Sequence, residues 1–123
     1  MKFEEDILQA KFKINSCENN KITINNENYS KSLIITKDDL SSDWEINDIN
    51  KITQKDIELL SKSSPELFII GTGDISIYPN KEVLSLLYNS KTPFEIMSSP
   101  SACRTYNLLI SDNRHIAVGL ILN

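Results

Sequence analysis

Arg104 and Arg114 are the only arginines of the chain, against eleven lysines, and both fall within residues 98–123. A guanidinium is a planar fork that holds a carboxylate or phosphate through two parallel hydrogen bonds, which a lysine cannot do. The sequence is rich in Ile, Asn and Lys and poor in Gly and Arg. Lysine is the easy basic choice here, so the two arginines point to sites that need the fork. In one reading both converge on an anion or on a partner's carboxylate, in a cleft near Gly71-Thr72-Gly73. In the other, Arg114 pairs with Asp112 or another acid and ties a helix to a strand.

Gly71-Thr72-Gly73 follows an apolar run, at the place where open α/β sheets bind ligands. Two glycines allow a tight turn and can turn backbone N–H groups toward an anion. A dinucleotide fingerprint needs a third glycine and a helix opening directly behind it, and neither follows. A plain turn is therefore the favoured reading. Cys103 sits beside Arg104 near a helix start, where a thiolate is stabilised. A nucleophile also needs a base, and the lone histidine, His115, lies across a turn. A small buried core residue is the better reading of Cys103, and a surface or strand-end residue that of His115. Tyr106 and Asn107 lie mid-helix, where Asn is unfavourable. The Asn107 amide is expected to satisfy backbone groups of a neighbouring loop, the Gly71-Gly73 turn being the candidate. Cys17 and Cys103 are isolated in sequence, which argues against a disulfide scaffold or a zinc site.

These residues need elements to position them. Residues 11–14 and 21–24 alternate as half-buried strands, with turns at Glu18-Asn19-Asn20 and at residues 25–28. Residues 29–36 form a third strand of an antiparallel meander. Residues 37–50 form a polar loop with a short strand around Trp44, which packs over a sheet edge. Residues 3–7 are a lead-in, and Glu4-Glu5-Asp6 and Asp38-Asp39 read as solvated surface. Thr53 to Asp56 opens a helix with a near-capping box, and Ile57 and Leu60 face the core, joined by Leu59. Asn80 caps a second helix over residues 81–88, whose apolar face carries Val83, Leu84, Leu87 and Tyr88. Ser98 or Ser99 caps a third helix with Pro100 in its first turn, and Asp112-Asn113 ends it. The apolar runs 66–70, 94–97 and 116–122 are expected as central strands of one sheet. The first two join through a helix, so they are parallel with a right-handed crossover. Gly119 is expected at a close approach.

Residues 102–107 (Ala-Cys-Arg-Thr-Tyr-Asn), followed by Arg114 and an apolar strand, resemble the signature of a small family. Its eukaryotic members include respiratory complex I assembly factor 3, and its prokaryotic members carry a domain of unknown function. Residues 64–73 (Ser-Pro-Glu-Leu-Phe-Ile-Ile-Gly-Thr-Gly) resemble its second signature. A third, weaker match is Ile22-Thr23-Ile24-Asn25 with Ser32-Leu33-Ile34-Ile35 and Trp44. The family usually has Glu-Gly before the second arginine, where this chain has Asp112-Asn113. Asn still takes the left-handed backbone that Gly takes, so the turn is kept. The resemblance implies a layered mixed sheet and protein partners, respiratory-complex subunits or assembly factors among them. It supplies no catalytic residue.

Composition sets the remaining bounds. The 123 residues make one domain, with apolar and charged fractions of 40% and 24% that are ordinary for a soluble globule. A net charge of −4 provides no basic field for nucleic acid. No apolar run approaches the roughly 18 residues of a membrane span. Residues 1–10 are acidic and lack a signal peptide's apolar stretch, so the chain reads as cytoplasmic. No cofactor and no metal are expected. The expected fold is α/β in three layers: a central mixed sheet, helices on both faces, and the meander at one side. The leading function is a non-enzymatic protein-interaction module that binds through Gly71, Thr72, Gly73, Arg104, Tyr106, Asn107 and Arg114. The rival is a small-molecule or anion-binding protein, or an enzyme, using the same cleft. A homo-oligomer is compatible with either.

Overall fold

Two pairs of asparagines shape the N-terminal sheet. Asn19 and Asn20 have φ of 53° and 57°, and Asn25 and Asn26 have φ of 50° and 69°. Two successive left-handed residues make the turn whose twist matches a hairpin, and Asn tolerates that backbone best after Gly. In the computed structural model, which describes residues 11–123, these turns join β1 (Ile14–Glu18), β2 (Lys21–Ile24) and β3 (Glu27–Tyr29). All three pair antiparallel, as a meander requires, with an irregularity in register between Ile14 and Ser16. The expected lead-in at residues 3–7 and the acids Glu4-Glu5-Asp6 lie outside the described residues.

The expected third strand divides in two. Its first part is β3; its second is β4 (Leu33–Ile35), which leaves the meander for a five-stranded sheet. A short strand, β5 (Leu40–Ser41), pairs with β4, while Trp44 itself is outside any strand. A 3-10 turn at Ile49–Lys51 follows, and then α1 (Gln54–Ser61), β6 (Leu67–Gly71), α2 (Lys81–Asn89), β7 (Phe94–Met97), α3 (Ser99–Ser111) and β8 (Ile116–Leu120). The order across the sheet is β5-β4-β8-β6-β7. β6 is parallel to both β7 and β8, and β4 is antiparallel to β8. The sheet is thus mixed, and β7 is an edge strand rather than the central one expected.

Local chemistry explains the helix ends. The Asp56 carboxylate accepts from the Thr53 backbone N–H at 2.8 Å and from its hydroxyl at 3.1 Å. Asn80 Oδ1 accepts from the N–H of Val83 at 3.0 Å, and Ser98 Oγ from that of Ser101 at 3.3 Å. Asn113, with φ of 59°, turns the chain out of α3 toward β8.

The strands of the large sheet are buried on both faces, so their side chains alternate between two cores. Ile69, Val118, Leu120, Leu33 and Ile35 face α3 and the meander, together with Ala102, Cys103, Tyr106, Ile14, Ile22 and Ile24. Phe68, Ile70, Ala117, Ile121 and Ile34 face α1, α2 and the Trp44 loop, together with Ile57, Leu60, Val83 and Leu87. Leu59 is partly buried beside them, and Tyr88 stays exposed instead of joining the helix's apolar face. Trp44 is 7% exposed. It lies over a central strand, not an edge: a Cβ built on Gly119 would stand 3.1 Å from the Trp44 ring.

Candidate functional site

Gly71 ends β6, and α3 crosses it closely. A Cβ at Gly71 would stand 2.7 Å from Ser99 Cα, so only hydrogen fits there. Ser99 is buried and pins three segments. Its Oγ donates to Ile121 O at 2.7 Å and accepts from Gly73 N at 3.0 Å, while its own N–H donates to Gly73 O at 2.7 Å. Gly73 has φ of +109°, the left-handed range that its lack of a Cβ permits. Thr72 N donates to Met97 O at 2.8 Å. The amides of Thr72 and Gly73 are thus engaged within the protein. This is the geometry of a turn, and neither N–H is free to cradle an anion.

Thr72 is fully buried and shapes the next loop. Its hydroxyl donates to Ile75 O at 2.6 Å and accepts from Ile77 N at 3.0 Å. Folding this loop back on a threonine turns its apolar side chains outward: Ile75 is 68% exposed and Tyr78 71%. Tyr88, from the end of α2, is 65% exposed and meets Phe94 edge to face, with ring centroids 5.1 Å apart. Between them lies an open groove of about 670 Å³ that follows β7 and is lined by Tyr78, Tyr88, Lys91, Pro93, Phe94 and Glu95, among others. β7 pairs only with β6 among the described residues, so its outer edge carries unpaired backbone groups. Nothing in the sequence patterns marks this face, apart from a buried-strand threonine followed by three apolar residues in a polar loop.

The two arginines do not meet. Arg114 pairs with Glu66, both about half exposed, and so ties the start of β8 to the start of β6. Glu66 is five residues before Gly71, roughly 17 Å along an extended strand, so this pair lies at the opposite end of the sheet from the glycine turn. The partner is thus an acid other than Asp112. Arg104 is exposed in the first turns of α3 and donates to Ser101 Oγ at 3.1 Å.

Tyr106 and Asn107 face the meander. Tyr106 donates its hydroxyl to Phe12 O at 3.1 Å, and burial pushes the phenol above its usual pKa. Asn107 pairs with the backbone of Ile14 on both sides, donating to its O at 2.6 Å and accepting from its N at 3.1 Å. The expected partner of that amide, the Gly71-Gly73 turn, is served by Ser99 instead. His115 Nε2 sits 3.2 Å from Ser63 Oγ. Cys103 is buried, as its core reading requires. Cys17, on the β1 side of the α3–β1 contact, packs against the same core cluster, a neighbourhood that their separation in sequence concealed.

Residues 14–121 match a protein-family description that reads "Protein of unknown function (DUF498/DUF598)". The chain belongs to this family. Over 122 residues it is 28% identical to the "13 kDa major membrane protein" of Francisella tularensis, covering 98% of this chain and 99% of that one. It is 30% identical over 82 residues to the Drosophila melanogaster "NADH dehydrogenase [ubiquinone] 1 alpha subcomplex assembly factor 3", covering 63% of this chain and 42% of that one. The human assembly factor 3 is 28% identical over 80 residues, with 44% of its length spanned. The chain thus spans less than half of these assembly factors. Among solved structures, a Bordetella parapertussis protein superposes with a TM-score of 0.81 at 21% identity, covering 91% of this chain and 96% of that one. A protein described as an outer membrane protein of Bartonella henselae gives 0.79 at 21% identity, covering 93% and 97%. The two structural likenesses show a shared fold. No helix among the described residues is long and apolar enough to cross a membrane.

Proposed function

We propose that the chain is a non-enzymatic protein-interaction module of the assembly-factor kind, and that it docks its partner along the open edge of β7. The observation that carries this is the pair of exposed tyrosines, Tyr78 and Tyr88, lining a groove beside an unpaired strand edge. The fitting ligand is an extended protein segment that adds a strand to β7 and lays apolar side chains against the two tyrosines. Lys91 and Glu95 in the groove then set register by charge. Gly71, Thr72 and Gly73 serve the surface from beneath by fixing the loop that presents Tyr78. Tyr106 and Asn107 serve the scaffold, while Arg104 and Arg114 remain exposed charges for a second contact. The relatives named as assembly factor 3 supply the partner class: respiratory-complex subunits or other assembly factors. The free thiols fit a cytoplasmic setting.

The test is site-specific photo-crosslinking in the native cell. A crosslinking residue at Tyr78 or Tyr88 should capture one discrete partner. The same residue at Leu108, equally exposed on α3, should not. Tyr78→Ser with Tyr88→Ser should abolish capture while leaving the melting temperature nearly unchanged. Equal capture from Leu108 would overturn the assignment of the face. A rise in melting temperature with phosphate or nucleotides and no capture at Tyr78 would favour the anion-binding rival. Capture of a second copy of the chain would make the edge a homo-oligomer interface.

A further inference from the structure

Two residues far apart in sequence are brought together where α3 crosses the meander. Tyr106 reaches Phe12 and Asn107 reaches Ile14, and one turn earlier Cys103 sits in the core cluster against which Cys17 of β1 packs. The helix thus runs along β1, and both thiols lie on the packed side between them. Cys17 is partly exposed and Cys103 buried, so one sulfur faces reagents and the other waits behind it. Arg104, next to Cys103 in the chain, places a cation near Cys17, opposed by Asp74 and Glu18. Both thiols are free.

We propose that Cys17 and Cys103 form a thiol–disulfide exchange pair, with Cys17 attacking a small-molecule disulfide of the glutathione type and Cys103 resolving the product. The Cys17 thiolate attacks one sulfur of the disulfide, forms a mixed disulfide, and expels one thiolate. Cys103 then gives its proton to that thiolate or to solvent and attacks Cys17 Sγ. The Cys17–Cys103 bond forms and the second small thiolate leaves, taking a proton from solvent. The two protein thiols are oxidised by two electrons, and the small disulfide is reduced to two thiols. Hydrogen bonding from the Cys103 thiol and the nearby guanidinium lower the Cys17 thiol below its ordinary pKa, while the same partnership and burial push Cys103 up. This fits an attacking sulfur outside and a resolving sulfur within. The two sulfurs must close to roughly 2.05 Å to bond. The product staples β1 to α3 across most of the chain, so it should raise the melting temperature. The pair lies apart from the docking reading and does not depend on it.

The probe is oxidised glutathione added to the purified reduced protein, followed by intact mass and non-reducing peptide mapping. Wild type should lose two hydrogens, retain no adduct, yield a linked Cys17–Cys103 peptide pair and melt at a higher temperature. Cys103→Ser should stall as a glutathione adduct on Cys17. Cys17→Ser should react at least tenfold more slowly. Circular dichroism of both variants checks that they fold. If either does not, the order of labelling in wild type decides, Cys17 first in support and Cys103 first against. A lasting adduct on wild type, or disulfides between chains in place of the internal bond, would overturn the proposal.

Discussion

Asn107 pairs with the backbone of Ile14 through both of its amide atoms, at 2.6 and 3.1 Å, so that a helix side chain acts as a ladder partner for a strand. It does so where β1 departs from regular register between Ile14 and Ser16. This accounts for an unfavourable helix residue in the middle of α3. Asn107→Ala leaves a part-buried N–H and C=O unpaired, which should cost about 1–3 kcal/mol in denaturant melts. Asn107→Asp keeps the acceptor but sets a carboxylate against the Ile14 carbonyl, and it should be no better.

Gly71 and Gly119 separate two kinds of close approach. At Gly71 an added methyl meets the backbone of Ser99, which cannot swing aside; at Gly119 it meets the edge of the Trp44 ring. Gly71→Ala should therefore destabilise by about 1–3 kcal/mol, the usual range for overpacking. Gly119→Ala should cost less and change the tryptophan fluorescence. Thermal melts with emission spectra check both, and a milder Gly71→Ala would contradict the contact.

Asp56 holds two partners at once. One oxygen accepts from the Thr53 backbone, and the other accepts from Trp44 Nε1 at 2.9 Å. Asp56→Ala removes the carboxylate half of the capping box and strands an indole N–H, together worth about 1–3 kcal/mol. The loss should exceed that of Thr53→Ala, which removes only the hydroxyl's share. Urea unfolding followed by Trp44 emission measures the difference.

The Arg114–Glu66 pair is half exposed, so solvent screens it. Arg114→Ala should barely move the melting temperature, and raising the salt should shrink even that change. A large loss at high salt would show that the arginine supports more than this ion pair.

Cys17 should alkylate with a midpoint below that of an ordinary thiol, because the neighbouring Cys103 thiol and the Arg104 guanidinium favour its thiolate. Folding favours its deprotonated form. Stability contributed by this group is therefore present above the unfolded thiol's pKa and fades as pH falls through the lowered folded one. Cys103 should resist iodoacetamide until the protein unfolds. Mass spectrometry of timed samples across pH checks both statements.

The starts of α1, α2 and α3, and the end of α3, are set within four residues of themselves. Thr53 with Asp56, Asn80 with Val83, Ser98 with Ser101 and left-handed Asn113 all act through local hydrogen bonds or backbone preference, so the sequence alone determines them. The same holds for the Asn-Asn hairpins and for the parallel pairing of β6 with β7, which follows from a helix placed between two apolar runs. Burial on both faces is equally legible in runs such as Phe68-Ile69-Ile70. Tertiary structure alone decided the rest, because each such feature joins residues without local coupling. Nothing near Tyr29 says that the next apolar run leaves the meander, since strand propensity does not name the sheet. Phe94-Glu95-Ile96-Met97 reads as a buried strand, yet closure of the sheet leaves it at the edge with its tyrosine-lined groove. Cys17 meets Cys103, and Arg104 stands apart from Arg114, only because α3 packs along β1 while β6 carries its two ends to opposite sides of the sheet.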